Sequence, residues 1–483
     1  MSVPPALRVI TMLLLLATGP SACARTEPEP AAGPSVAREQ LKALLAAFNS
    51  GDRPTLEQYA KASLSPNYKN SPTIDEALGM HKHSGGFDVL ELTDVAPNVV
   101  KGWVRGRDSE ALMEVVIEVE EKAPHRVEFF NLAWGNPPQK YYPDHLTEAA
   151  AVETLRAEVA KRTAADKFSG AVLLSRGDAV LLREAYGLAD RNQKIPNTVD
   201  TRFRTASMGK MFTAVAVLRL VQEGKLKLSD PIGKIVQALA GKPAANVTIR
   251  QLLTHTAGTG DFYGPRLEEN RSKLLVHDDF IKIFGDDALL FKPGEKYGYS
   301  NMGYILLGAA IEHASGKSYY DYIQETVFTP AGMTHSDLAP VEVSMTGRAS
   351  GYYRPPGTHE WLPAIEPLAY RGDGAGGAWS TVDDMAKFFS ALRANRLLSE
   401  KYTQLMFAPR EKLWPGNEFG HGIFIESYPW SGRSLGHSGG EQGSNAEGWF
   451  MPDSGYVLVV MSNFDPAAAT NVAGFIRARL PLH

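Results

Sequence analysis

The segment from Met208 to Val221 constrains the fold more than any other part of the chain. Its residues are apolar on nearly every face, and Lys210 and Arg219 carry its only charges. A helix of this kind is normally buried, so other elements must surround it. Gly224 follows as a left-handed C-terminal cap. With 483 residues the chain is expected to form more than one domain, and one of them must enclose this helix.

A serine precedes the lysine of this helix by one turn. Ser207 and Lys210 are spaced i, i+3, which puts both side chains on one face. Burial and the positive end of the helix dipole both favour the neutral amine of Lys210. A neutral lysine beside a hydroxyl gives a weak nucleophile its base. The alternative is a lysine that extends to solvent while Ser207 only caps the helix.

A second group of polar residues stands before another apolar helix. A loop rich in proline and glycine leads to Tyr299-Ser300-Asn301, and the helix that follows ends at Gly316. A phenol held near the Lys210 ammonium would ionise more easily and act as a general base. The alternative is an aromatic side chain that anchors the start of the helix.

A third group is His437-Ser438-Gly439-Gly440, at the edge of a predicted C-terminal sheet. Glycines let the backbone approach a ligand and direct N–H groups at a developing oxyanion. The same four letters occur at His83-Ser84-Gly85-Gly86, but that copy precedes Ser207, lies in another predicted domain and is interpreted as an ordinary turn.

In this order, Ser207-x-x-Lys210, Tyr299-x-Asn301 and His437-x-Gly439 resemble the three motifs of class C β-lactamases and the related DD-peptidases and esterases. The likeness covers about residues 147 to 480. The resemblance implies an α+β fold in which helices flank an antiparallel sheet and a helical region is added. Further matching segments are LLTHTAG at 252–258, FKPGEKYGYSNMGYILLG at 291–308 and GGAWSTVDDMAKFF at 376–389.

The resemblance also implies a role for each motif residue. Ser207 would be the nucleophile that forms an acyl-enzyme, and Lys210 its proton partner. Tyr299 would be the general base that later protonates the leaving group. The Asn301 amide would hold a substrate carbonyl, and the backbone N–H groups of Ser207 and Gly440 would form the oxyanion hole. No cofactor and no metal is implied.

The third motif departs from the β-lactamase pattern, because His437 stands where those enzymes usually have lysine. His437 and Gly439 are therefore expected to bind an ester or a D-peptide rather than a β-lactam. The most favoured function is an esterase or D-amino-acid peptidase; the alternatives are a true β-lactamase and a non-catalytic penicillin-binding-like module. An imidazole changes charge near neutral pH. We expect a neutral His437 and an activity that rises through neutral pH.

The remaining chain divides into predicted domains. Helical patterns followed by alternating strands indicate a small α+β domain, which resembles cystatin-like or nuclear-transport-factor-like domains. Beyond it, strand patterns near both ends of the second domain predict one antiparallel sheet with helices inserted between them. The predicted ranges are a signal peptide at 1–24, a linker rich in proline and alanine at 25–35, the small domain at 36–136, a linker at 137–146 and the hydrolase domain at 147–483.

The N-terminus indicates export from the cytoplasm. Arg8 precedes an apolar run and the small residues Ala22-Cys23-Ala24, which is the pattern of a secretory signal. Cys23 is the sole cysteine. Its place after the apolar run resembles the lipidated cysteine of bacterial lipoproteins, whereas Ala22-x-Ala24 equally suits ordinary signal peptidase. The protein is expected to be periplasmic or secreted, with a possible lipid tether to the membrane.

Other functions find little support in the sequence. A net charge of −4 gives no sign of a nucleic-acid partner. The glycines in RGDGAGGAWS fit a dinucleotide-binding pattern, but no parallel βαβ unit surrounds them, and Ser380 with Asp383 is expected to cap the next helix. His81 and His83 form an isolated His-x-His and are expected in a solvated turn. His255 is expected to be structural, with local hydrogen bonds.

Overall fold

The computed structural model describes residues 35–68, 72–340, 347–355, 357–358, 360–364 and 370–483. The predicted signal peptide with Cys23, and the predicted linker up to residue 34, lie outside these residues. The chain separates into two compact units. The smaller unit contains the described residues up to Tyr142 together with 355 and 357–358, and the larger contains those of Pro143–Arg354 and Glu360–His483.

The smaller unit packs three helices against one face of a four-stranded antiparallel sheet in the order β1-β2-β3-β4. Alternate residues of β3 are buried, including Val115 and Ile117, and they meet Leu41, Leu45 and Phe48 of the first helix. The elements are α1 (Val36–Ser50), α2 (Arg53–Ser63), α3 (Ile74–Ser84), β1 (Phe87–Ala96), β2 (Val99–Gly106), β3 (Leu112–Val119) and β4 (Val127–Trp134).

Side chains cap the helices of this unit. Thr73 accepts the N–H of Glu76 at 3.2 Å, and the Glu76 carboxylate accepts the N–H of Thr73 at 2.8 Å, which begins α3. Gly85, at φ 70°, ends it. His81 and His83 therefore lie in the last turn of helix α3, and the prediction of a solvated turn there was wrong.

The larger unit is built on one eight-stranded antiparallel sheet in the order β13-β14-β15-β16-β17-β18-β5-β6. β18 pairs with β5 from Tyr456↔Arg176 to Ser462↔Gly170, so the sheet joins both ends of the unit, as predicted. The strands are β5 (Gly170–Arg176), β6 (Ala179–Tyr186), β7 (Leu188–Asp190), β8 (Ile195–Pro196), β9 (Phe203–Arg204), β10 (Tyr352–Tyr353), β11 (Leu362–Pro363), β12 (Trp379–Ser380), β13 (Glu411–Trp414), β14 (Asn417–Phe419), β15 (Phe424–Tyr428), β16 (Gly432–Glu441), β17 (Ser444–Phe450) and β18 (Tyr456–Ser462).

Helices cover both faces of this sheet. Successive side chains of a strand point to opposite faces, and accordingly Val172 packs with α4 and α15 while Leu173 packs with α5 and α13. The helices are α4 (Glu148–Ala164), α5 (Lys210–Gln222), α6 (Ile232–Ile235), α7 (Ile249–Leu253), α8 (Pro265–Asn270), α9 (His277–Phe284), α10 (Asn301–Ser315), α11 (Tyr319–Ile323), α12 (Thr329–Ala331), α13 (Val382–Arg393), α14 (Glu400–Phe407) and α15 (Ala468–Arg477).

The helix that most constrained the fold is α5, and it is buried almost throughout, as its composition predicts. The cap of α13 differs from the prediction by one residue. Thr381 accepts the N–H of Asp384 at 3.2 Å, whereas the Ser380 hydroxyl lies 2.8 Å from that of Ser336. Within the described part of the chain, every helix is too short or too polar to cross a membrane.

Candidate active site

Ser207 lies on a tight turn between β9 and α5. The turn is a 3-10 helix, Ala206–Gly209, and Ala206 before the serine takes the left-handed conformation at φ 42°. This conformation is unfavourable for alanine and must be held by the surroundings. The Gly377 N–H donates to the Ala206 carbonyl at 2.9 Å. Ala206 and Met208 are buried, but Ser207 is only half-buried, so its hydroxyl remains accessible on a rigid backbone.

Lys210 is completely buried directly beneath this serine. Its Nζ lies 3.1 Å from Ser207 Oγ, 2.6 Å from Asn301 Oδ1 and 2.7 Å from the Ala375 carbonyl oxygen. Burial lowers the pKa of Lys210 to about 7, although the carboxylates of Asp261, Asp373 and Glu441 oppose that shift.

As an ammonium Lys210 can donate to all three oxygens, and its pKa of about 7 also makes the neutral amine available. Asn301 Oδ1 and the Ala375 carbonyl can only accept hydrogen bonds, so they take the two N–H groups of the amine. The lone pair is then directed at Ser207 Oγ, which can donate its proton. This is the geometry that a general base for a serine nucleophile requires.

Tyr299 and Asn301 lie at the start of helix α10. Ser300 caps this helix by accepting the Gly303 N–H at 2.8 Å, so Asn301 is its first residue. Asn301 is buried, and its Nδ2 donates to Asp261 Oδ2 at 2.9 Å. One N–H of the Asn301 amide is thus engaged by protein rather than reserved for a substrate.

Tyr299 places its ring beside the amine of Lys210. Nζ lies 4.9 Å from the ring centroid. Burial raises the pKa of Tyr299 above its ordinary value; a hydrogen bond with Ser207 opposes the shift and Asp261 adds to it. The expectation that the phenol ionises more easily was wrong, because burial of the phenol itself disfavours its charged form. Tyr299 is a neutral phenol, able to donate a proton.

His255 packs against Tyr299 from behind. Its ring centroid lies 4.3 Å from that of Tyr299, and its Nδ1 accepts the N–H of Ser300 at 3.1 Å. Burial, together with the fields of Lys210 and His437, keeps the pKa of His255 well below its ordinary value. His255 was expected to make its hydrogen bond with a neighbour in sequence, but it makes one with Ser300, far along the chain. This hydrogen bond helps to fix the backbone next to Tyr299.

The third motif lies on β16, beside the Ser207 turn. A Cβ atom on Gly439 would lie 2.1 Å from the Thr205 carbonyl oxygen and 3.1 Å from the Met208 nitrogen. Only glycine permits this approach of two backbones. Gly440, whose N–H is a predicted oxyanion-hole donor, follows on the same strand. The structure thus brings the third motif to the Ser207 turn.

His437 is buried and held by its neighbour. Its Nδ1–H donates to the Ser438 carbonyl at 2.5 Å, and its ring centroid lies 6.4 Å from that of Tyr299. Burial and then the field of Lys210 lower the pKa of His437 to about 3. The imidazole is neutral, as expected, but the expectation that it changes charge near neutral pH was wrong. Any activity change near pH 7 must come from another group.

Sequence reasoning missed two groups that contact this site, the Ala375 carbonyl and the Asp261 carboxylate. Ala375 lies in the glycine-rich loop 372–377, which was considered only for dinucleotide binding. A Cβ atom on Gly376 would lie 2.1 Å from the Ala206 carbonyl oxygen, so the loop packs against the Ser207 turn. A pattern of closely spaced glycines signals such an approach. No comparable signal marked Asp261.

The second His-Ser-Gly-Gly copy ends α3 in the smaller unit and is not part of this site. Among the described residues, no group of three or more histidine, cysteine, aspartate and glutamate side chains is arranged to hold a metal ion.

Comparison with known proteins gives this geometry a family. Residues 155–481 match the family model described as Beta-lactamase. The chain belongs to the beta-lactamase family. The chain is 31% identical over 314 residues to Penicillin-binding protein 4* of Bacillus subtilis (strain 168). The matched region covers 62% of this chain and 68% of that protein. The chain is 30% identical over 281 residues to the putative penicillin-binding protein PbpX of the same strain, covering 56% and 69%.

Solved structures agree with the family assignment. A penicillin binding protein from Bacillus halodurans is 31% identical, with a TM-score of 0.60, covering 67% of this chain and 98% of that one. A D-amino acid amidase from Ochrobactrum anthropi SV3, complexed with L-phenylalanine amide, is 26% identical with a TM-score of 0.58, covering 68% and 97%. The predicted α+β fold and the resemblance to the β-lactamase-related family are confirmed. As a member of this family, the chain is a serine hydrolase.

Proposed function

We propose that this protein hydrolyses esters or D-amino-acid amides and peptides through an acyl-enzyme on Ser207, with Lys210 as the base. The observation that carries the proposal is the set of contacts at Lys210 Nζ. Two acceptor-only oxygens consume its N–H groups and leave the lone pair facing the serine hydroxyl. A non-catalytic binding module has no need of a buried lysine whose pKa is lowered to about 7.

The proposed reaction has two stages. In the first, Ser207 Oγ attacks the substrate carbonyl carbon while its proton passes to Lys210 Nζ, and the backbone N–H groups of Ser207 and Gly440 stabilise the oxyanion. The C–O or C–N bond then breaks. Tyr299 donates its phenolic proton to the leaving group and recovers a proton from Lys210. In the second stage water attacks the acyl ester by the reverse proton path and frees Ser207.

The charges around the site favour substrates without a carboxylate. Asp261, Asp373 and Glu441 are all close enough to raise the pKa of Lys210, and Glu441 pairs with Arg204 at 2.5 Å. His437 adds no positive charge, because its pKa is about 3. Glu441 is balanced by Arg204, so the carboxylates of Asp261 and Asp373 are the charges that would repel the carboxylate of a penicillin or of a D-Ala-D-Ala terminus. Uncharged esters and D-amino-acid amides fit better, and the named activity of the amidase relative supports the second class.

Active-site labelling tests the proposal. Ser207→Ala should abolish covalent labelling by a fluorophosphonate probe and turnover of p-nitrophenyl acetate. The matched control is Ser272→Ala, which removes an exposed hydroxyl and should leave both unchanged. Labelling of Ser207→Ala at the wild-type rate would refute the mechanism. Turnover of p-nitrophenyl acetate, D-phenylalanine amide, a D-Ala-D-Ala peptide and nitrocefin by wild type then ranks the substrate classes, with the last two expected to be slowest.

We also propose that the mature protein lies outside the cytoplasm, on the basis of the signal pattern that ends near Cys23. If Cys23 carries lipid, Cys23→Ser should move the protein from the membrane fraction to the soluble fraction. Soluble fractionation of both forms would support ordinary signal cleavage instead.

A further inference from the structure

We infer that Asp261 is a positioning residue that fixes the orientation of the Asn301 amide and thereby directs the Lys210 lone pair at Ser207. The inference rests on the proposed function, since it concerns how the base of that mechanism is aimed. Nothing in the three motifs identifies Asp261, which lies on the loop that follows α7.

The carboxylate of Asp261 accepts hydrogen bonds from the side chain and backbone of Asn301 and from the backbone of Phe262. Its Oδ2 accepts from Asn301 Nδ2 at 2.9 Å, and its Oδ1 accepts from the Phe262 backbone N–H at 3.0 Å. An ionised carboxylate can only accept hydrogen bonds. Asp261 therefore binds the nitrogen end of the Asn301 amide and leaves the oxygen end for Lys210.

The orientation of Asn301 matters because its two ends are chemically opposite. In the observed orientation Oδ1 accepts an N–H from Lys210 at 2.6 Å. If the amide turned over, its NH₂ group would face Lys210 Nζ and donate to the lone pair that serves Ser207. Asn301 is 2% exposed, so water could not replace the lost partners. A turned amide would therefore occupy the base.

Asp261 also acts on Lys210 through its charge. Its field raises the pKa of Lys210, against the larger effect of burial. Burial in turn raises the pKa of Asp261 to about 6, so Asp261 is ionised when Lys210 loses its proton near pH 7. Other titratable groups surround both residues. Those that face Lys210 are Asp261, Asp373, Glu441, Tyr299, Tyr304, His255 and His437. Those that face Asp261 are Lys210, Tyr263 and Tyr299.

The variant Asp261→Asn removes both actions of Asp261, and each loss changes a different part of the pH profile. Asp261→Asn removes the negative charge, so Lys210 should lose its proton at lower pH. The same change lets either end of the introduced amide face Asn301, so the orientation of Asn301 is no longer fixed. The expected result is an acid limb of kcat/KM displaced to lower pH, together with a plateau about 10- to 100-fold lower, the range of one hydrogen bond to a charged group.

The experiment is a pH profile of kcat/KM for the uncharged ester p-nitrophenyl acetate, between pH 5 and 9. It compares wild type, Asp261→Asn, Asp261→Ala, Asp261→Glu and Glu269→Gln. Glu269 is exposed on α8, so Glu269→Gln removes one charge from the same region and should reproduce the wild-type profile. Asp261→Glu keeps the charge and should return the limb to its wild-type position. Thermal unfolding of each variant establishes that it is folded.

Three results would overturn the inference. An unchanged plateau in Asp261→Asn, with or without a displaced limb, would show that the orientation of Asn301 does not depend on Asp261. A lowered plateau with an undisplaced limb would indicate a loop defect that does not act through Lys210. Unfolding of Asp261→Asn together with wild-type kinetics of Asp261→Ala would exclude a positioning role. Failure of the proposed function is distinct, because it would appear as wild-type turnover in Ser207→Ala, whatever the profiles of the Asp261 variants.

Discussion

The amine of Lys210 lies 3.1 Å from the hydroxyl of Ser207 at a depth where burial lowers its pKa to about 7. Only the neutral amine can accept the Ser207 proton, so kcat/KM should rise with pH through about 7 and reach a plateau above it. Steady-state hydrolysis of p-nitrophenyl acetate, corrected for the spontaneous reaction, measures this profile. A flat profile, or one that falls as pH rises through 7, would show that Lys210 is not the base.

Lys210 and Tyr299 should behave as one proton path. Lys210→Ala and Tyr299→Phe should each reduce the acylation rate about 10²- to 10⁴-fold, the usual contribution of general acid–base catalysis. The double variant should lose little more than the worse single variant, because residues that act as a unit are not additive. The measurement is the rate of fluorophosphonate labelling of Ser207 in all four proteins. Losses that multiply would indicate independent roles.

His437 should influence the rate without setting its pH dependence. The imidazole is neutral above its pKa of about 3, so His437→Gln should leave the midpoint of the limb near pH 7. The plateau should fall about tenfold, as expected for one altered hydrogen bond in a buried site. The same ester and pH range provide the test. A midpoint that moves, or a limb that disappears, would assign the titration to His437 instead of Lys210.

Gly439 should be intolerant of any side chain. A Cβ atom there would meet the Thr205 carbonyl oxygen at 2.1 Å, and backbone cannot yield as a flexible side chain can. Gly439→Ala should therefore cost about 1–3 kcal/mol of unfolding free energy and lower turnover as β16 separates from the turn. Gly474→Ala is the control: its Cβ meets nothing within 4 Å in α15, so it should stabilise the protein by up to about 1 kcal/mol. Urea denaturation compares the two, and equal stabilities would contradict the close approach.

The sequence predicted those features that leave a repeated or spaced pattern of side chains. The burial of α5 follows from a run of apolar residues around Lys210, and the alternating segments near 170 and 456 predict strands of one sheet. The family resemblance, carried by three motifs in order, was confirmed. The roles of all the motif residues, from Ser207 to Gly440, remain predictions, as does the resemblance proposed for the smaller domain.

The remaining features depend on which residues folding brings together from distant parts of the chain. Ala375 contributes a backbone carbonyl, which every residue type has, so its identity carries no signal. Asp261 becomes relevant only because folding brings it to the amide of Asn301, forty residues later. The pKa of Tyr299 was predicted in the wrong direction because it depends first on how deeply folding buries the phenol, which a motif does not encode. These are consequences of tertiary packing.

The pairing of β18 with β5 joins residues 456–462 to residues 170–176, and β16 supplies the strand beside Ser207. Contacts this distant in sequence close a long loop and form slowly. A ribosome therefore completes the nucleophile, the base and their helix long before it makes the strand beside which they work. During that interval the emerging chain lacks Gly440, one of the two proposed oxyanion-hole donors. On the proposed mechanism, the site is complete only once the strands from β16 onward have been made.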